Sequence, residues 1–229
     1  MLSGFFVMSS CTNESGDGPI VTKTLDIAEF EGVIMPSAED VRITYGTDFK
    51  VVAIGNENVV NEISTSVNGG VWNMKLNQNF NNYDLRYEIV VPRMKSIRIS
   101  GSGNVFSKGF ITEKDVQLDV SGSGNIQLED YEAYGTLNVS VSGSGNIYAL
   151  GSNTNFTALN IGISGSGNYY GFPLAVNSAT VNISGSGNTE VYANDDLIVN
   201  ISGSGNVSYK GFPSIQSNIS GSGNVINAN

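Results

Sequence analysis

The chain has 229 residues, 40% of them hydrophobic and only 14% charged, with a formal net charge of −10 and no histidine. That length suffices for one or two domains with a proper core, and a patterned apolar fraction of this size argues against disorder. An acidic surface repels nucleic acid and anionic lipid, which argues against a phosphate-tracking role, and the missing histidines remove the commonest acid–base residue.

In chain order, residues 1–19 stand apart. Leu2-Ser3-Gly4-Phe5-Phe6-Val7-Met8-Ser9-Ser10-Cys11 reads as the end of a short apolar segment leading through small residues to the single cysteine. It resembles the tail of a bacterial lipoprotein signal, which implies lipidation at Cys11 and a membrane association through that anchor alone. No Lys or Arg precedes Cys11 and Met8 stands where Leu is usual, so the true start is expected upstream. Thr12 to Pro19, polar and containing glycine, reads as a flexible tether. One cysteine leaves no internal disulfide.

Residues 20–96 carry short strand patterns. Val21-Thr22-Lys23-Thr24-Leu25, Val41 to Tyr45, Lys50 to Ile54 and Tyr83 to Val91 alternate and are bounded by turn formers, with Pro92 ending the last. Asn68-Gly69-Gly70 between Ile63–Val67 and Val71–Leu76 is a hairpin signal, and Asn56 to Ile63 allows one helical turn at most. The region is expected to supply the cap and first coils of a solenoid that residues 97–229 continue, since an uncovered solenoid end leaves strand edges unpaired.

Residues 97–229 are built on Ser-Gly-Ser-Gly-Asn, which begins at Ser100, Ser121, Ser142, Ser164, Ser184, Ser202 and Ser220, spacings of 21, 21, 22, 20, 18 and 18 residues. Before each copy apolar and polar residues alternate, as in Leu137-Asn138-Val139-Ser140-Val141, and a second short apolar-led run comes after it, as in Ile147-Tyr148-Ala149. A unit of two short strands and a Gly-rich corner cannot bury a core alone and must stack on its neighbours. The pattern predicts an all-β chain, a parallel β-helix or solenoid of 18–22-residue coils, in one domain spanning 20–229. The asparagines Asn104, Asn125, Asn146, Asn168, Asn188, Asn206 and Asn224 are expected to stack as a structural ladder, each amide donating to its neighbour.

The N-terminal pattern, Val90-Val91-Pro92 leading into Ile97-Arg98-Ile99-Ser100-Gly101-Ser102-Gly103-Asn104, and the repeated Gly-Ser-Gly-Asn-Ile units resemble the putative auto-transporter adhesin family, head GIN domain. The resemblance covers about residues 20–229. It implies a right-handed, pectin lyase-like β-helix on a bacterial envelope protein acting in adhesion, and it brings no established catalytic or ligand residues.

The chemical readings of the motif are weak. No copy opens a helix or precedes Lys-Ser/Thr, as a phosphate loop requires, and a neutral Asn replaces the Asp that calcium repeats use. No metal or cofactor is expected. A carbohydrate-active β-helix enzyme, lyase- or hydrolase-like, is the alternative. It needs converging charges, and only Arg98 with Asp119, the Glu129–Glu132 turn and Asp195-Asp196 offer any. Aromatics at Tyr148, Tyr170, Tyr192, Phe106 and the Gly-Phe-Pro turns instead suggest an outer face for an unknown glycan or envelope protein. The expectation is a non-enzymatic, lipid-anchored envelope protein.

Overall fold

The computed structural model describes residues 14–112, 115–151 and 156–229, so Cys11 and its proposed lipid lie outside the described residues. The fold is 56% strand and 2% helix, a β-solenoid of stacked coils. Each coil contributes one strand to each of two sheets.

The first sheet carries, in spatial order, Val71–Asn73, Gly32–Met35, Ser96–Ile99, Val116–Val120, Thr136–Val141 and Ala158–Ile163, all parallel. It continues through the later parts of Tyr169–Ile183 and Thr189–Ile201 to Ser214–Ile219. The second sheet runs from Leu85–Val91 through Asp40–Tyr45, Asn104–Lys108, Asn125–Glu129 and Ile147–Ala149 to Val225–Asn227. Where coils shorten to 18 residues, one long strand, such as Thr189–Ile201, turns the corner and serves both sheets.

In-register parallel stacking turns the repeat into columns. Met35, Ile99, Val120, Val141, Ile163, Ile183 and Ile201 lie above one another and are buried, as are Val105, Ile126, Ile147, Tyr169, Thr189 and Val207 on the second sheet. Each such aliphatic side chain contributes about 1.5–3 kcal/mol on burial. The motif's glycines set how closely coils approach. A Cβ on Gly143 would lie 2.0 Å from the Gly122 oxygen, and one on Gly145 1.8 Å from the Gly124 oxygen. No side chain fits there, so the corner is Gly-x-Gly in all seven motif coils.

The N-terminal region departs from sequence order. Gly32–Met35 sits between Val71–Asn73 and Ser96–Ile99, and Asp40–Tyr45 between Leu85–Val91 and Asn104–Lys108. The chain therefore lays its second rung first, loops out to build the end rung, then steps back across to continue the rod. The excursion builds the cap. Lys50–Asn56 pairs antiparallel with Leu85–Val91, and Ile20–Thr24 pairs antiparallel with Lys50–Asn56, extending the second sheet past its last parallel strand. The hairpin Val67–Asn68/Val71–Asn73 turns on Gly69 and Gly70, both at positive φ, and closes the first sheet. The helix Glu57–Asn61 buries Val59 and Val60 between them.

Candidate functional site

The repeat fixes what the outer face shows. Two residues beyond each motif asparagine, a side chain points outward, and the register stacks these positions as Phe106, Gln127, Tyr148, Tyr170, Glu190, Ser208 and Ile226, with Arg42 of the cap-side coil beside Phe106. Parallel strands in register bring identical side chains face to face at the rung spacing of about 4.8 Å. Tyr148 and Tyr170 accordingly stack with ring centroids 5.0 Å apart and planes within 13°, and Arg42 lies over the Phe106 ring at 5.5 Å. Both tyrosines and Phe106 are half-buried, so each ring packs on the rod and keeps part of its surface in solvent.

Tyr192 belongs elsewhere. Tyr170 pairs with Glu190, two residues earlier, and Tyr192 lies between Ala175 and Lys210. Tyr192 stands four residues after Asn188, two beyond the strip position that Glu190 holds, and register shifts after Tyr170 and after Val176 take up the shorter coil around it. Nearby, Lys210 covers Phe172 at 4.7 Å, while Phe212 is 91% exposed.

Beside the strip runs the asparagine ladder. Asn146 donates its side-chain amide to Asn125 at 3.1 Å and accepts from Asn168 at 2.8 Å, and the same bond recurs from Asn125 to Asn224. All these amides donate toward the N-terminal end, where Asn104 gives its own to the Asp40 carboxylate at 2.9 Å. A charged acceptor suits the terminus of a chain of aligned amides. Asp40 carries no motif that would mark it in the sequence.

On the first sheet an open groove of about 420 Å³ runs along several coils. Ser140, Gly162, Asn182, Asn200 and Asn218 form one wall and the first serines of the motif the other. No charged side chain lines it, and Asn200 donates to Asn182 at 2.9 Å. Open space lies where a Cβ on Gly162 would point.

The ionisable groups are spread along the rod. Arg98 meets Asp119 at 3.0 Å, directly across one rung, as an exposed pair that contributes little. Lys108 contacts Asp130 and Glu129, and the hydrogen bonds to these carboxylates, Asp130's first, raise its pKa. Glu132 accepts from Tyr134 at 2.7 Å, and Asp195 and Asp196 are exposed. Among the described residues the buried carboxylate is Glu39, which accepts hydrogen bonds from the Tyr83 hydroxyl at 2.8 Å and from Ser37. It sits at the corner under the first motif copy, where its backbone oxygen accepts from the Asn104 N–H. Among the described residues no group of three His, Cys, Asp or Glu could hold a metal ion, and no helix is long and apolar enough to cross a membrane.

A family model described as putative auto-transporter adhesin, head GIN domain, matches residues 29–213. Solved structures share the architecture. A putative adhesin from Bacteroides fragilis superposes with a TM-score of 0.85 at 21% identity, over 93% of this chain and 99% of that one. A putative adhesin from Parabacteroides distasonis gives 0.75 at 23%, with the same coverages. A putative lipid binding protein from the same species gives 0.76 at 21%, over 94% of this chain and 100% of that one. No curated protein matches.

Proposed function

The chain belongs to the putative auto-transporter adhesin family, head GIN domain, and on that premise we propose that it is a non-enzymatic binding protein of the bacterial cell envelope, held there by a lipid at Cys11, whose tyrosine strip takes a neutral surface glycan. The observation that carries the reading is the Tyr148/Tyr170 stack. It offers a continuous aromatic ridge, two stacked rings with their outer edges toward solvent, beside a ladder of amides, on a rod with little charge. Sugar rings bind such surfaces through their apolar faces, with hydroxyls bonding to neighbouring polar groups. The carboxylates support the non-enzymatic reading through their placement, since they are distributed over many coils, paired with a cation on the neighbouring rung or solvated, and among the described residues only Glu190 stands beside the stacked tyrosines.

The test is binding of immobilised neutral polysaccharides by the protein and by Tyr148→Ala and Tyr170→Ala. Each substitution is expected to weaken binding by about tenfold, roughly 1.4 kcal/mol, with the unfolding temperature nearly unchanged because the rings are half exposed. Tyr192→Ala, outside the strip, is expected to bind as the parent does. Equal affinities across all four proteins would remove the strip from the account. For the anchor, Cys11→Ser is expected to move the protein from the membrane to the soluble fraction, and an unchanged membrane fraction would refute lipidation there.

A further inference from the structure

The two ends of the rod are built differently. The N-terminal end is closed by antiparallel strands, the helix and a hairpin. At the other end Ser214–Ile219 pairs on one side only, with Thr189–Ile201, and Val225–Asn227 on one side only, with Val207–Lys210. Their inward positions are correspondingly uncovered among the described residues. Leu197 and Ile201 are buried at 0% and 1% exposure, whereas Ile215 and Ile219, directly above them, stand at 40% and 41%. Alternate N–H and C=O groups of an edge strand face outward, ready to accept another strand.

We propose that this end is a self-association surface, through which two copies join tail to tail by antiparallel pairing of Ser214–Ile219 with its symmetry mate, centred on Ser217. Three observations select a second copy as the occupant. First, residues 211–229 contain no charged side chain in a molecule of net charge −10, so two identical ends meet without the repulsion the rest of the surface would bring. Second, the strand is self-complementary. Its inward residues read Ile215, Ser217, Ile219 in both directions, so a twofold axis at Ser217 sets Ile215 opposite the mate's Ile219 and Gln216 opposite the mate's Asn218. Third, the axis accounts for Ser217 itself. Its column on the preceding coils is Ile97, Leu118, Val139, Ile161, Val181 and Val199, and the hydroxyl appears only at the rung where it would face its own symmetry copy and bond to it. Because the twofold pairing uses the same edge strand on both copies, each copy's edge is consumed by the other, and the assembly closes at two and does not grow into a filament. It presents a tyrosine strip from each copy, which adds avidity to whatever the strip binds.

The mass of the protein in solution, followed by sedimentation over a concentration series, tests this. The expected result is a shift from the 24.2 kDa chain to twice that mass. Ser217→Lys and Ser217→Glu place like charges on the axis at an exposed position, and each alone is expected to stay monomeric. Their equimolar mixture is expected to regain the dimer, which a merely misfolded variant would not. Slower amide exchange of Ser214–Ile219 with rising wild-type concentration gives an independent readout. A monomer at every concentration, protected amides in a monomeric species, assemblies beyond two copies, or either variant dimerising as the parent does would each overturn the proposal.

Discussion

Asn146 shows what a single position of the motif does. It donates to Asn125 and accepts from both the side chain and the backbone N–H of Asn168, so one side chain satisfies groups on three successive coils. Asn146→Ala is expected to cost about 1–3 kcal/mol in chemical denaturation by leaving those partners unpaired. An unchanged transition would mean that the ladder contributes nothing to stability. The spacing of the asparagines is enough to foresee that they align. The Asp40 anchor and the Glu39–Tyr83 contact are not legible in the sequence, because each depends on which rung neighbours which, whereas counting four residues from Asn188 to Tyr192, against two from Asn146 to Tyr148, already sets Tyr192 apart. Buried tyrosines give a second prediction at this scale. Burial raises the pKa of Tyr87, Tyr131 and Tyr169 above the ordinary 10.0, so the fold holds their protonated form. Their contribution is full below the unfolded value and is lost as pH rises toward the folded one. The unfolding temperature is therefore expected to fall as pH rises beyond about 10, and a melting curve that does not move through that range would contradict it.

The elements of the rod depend on two kinds of glycine. In the corner, Gly145→Ala forces a Cβ to within 1.8 Å of the Gly124 oxygen, so two coils must part; the expected loss is on the order of 3 kcal/mol. In the strand Ala158–Ile163, Gly162 faces open space, and Gly162→Ala is expected to be neutral or to stabilise by about 0.5–1 kcal/mol. Thermal melts of the two variants separate a packing glycine from a dispensable one; equal shifts would contradict the close-approach account. From Ser96 onward the coils are legible, since motif, alternation and spacing repeat. The cap is less so. The strand Gly32–Met35 lies in Gly-Val-Ile-Met, a short unbroken apolar run without alternation, and goes unmarked. Nothing local records that residues 71–91 form the rung outside residues 32–45, because that order is a matter of edge pairing between segments far apart in sequence.

At the scale of the whole molecule, a filled core, one capped end and long regular faces suit display and contact more than turnover. A β-helix enzyme concentrates its charges in one cleft, whereas here the groove on the first sheet is neutral and the acidic groups are distributed along the rod. The family match places the chain among putative auto-transporter adhesins, the solved structures share its fold, and the tyrosine strip is the surface we propose for contact. The most direct measurement is an array of surface polysaccharides probed with the protein, with retained protein and released oligosaccharide quantified together. The account predicts retention on a neutral glycan with no released product. Cleavage would contradict it and direct attention to Arg98, Asp119 and the Glu129–Glu132 turn, and absence of retention on every glycan would remove the sugar from the proposal.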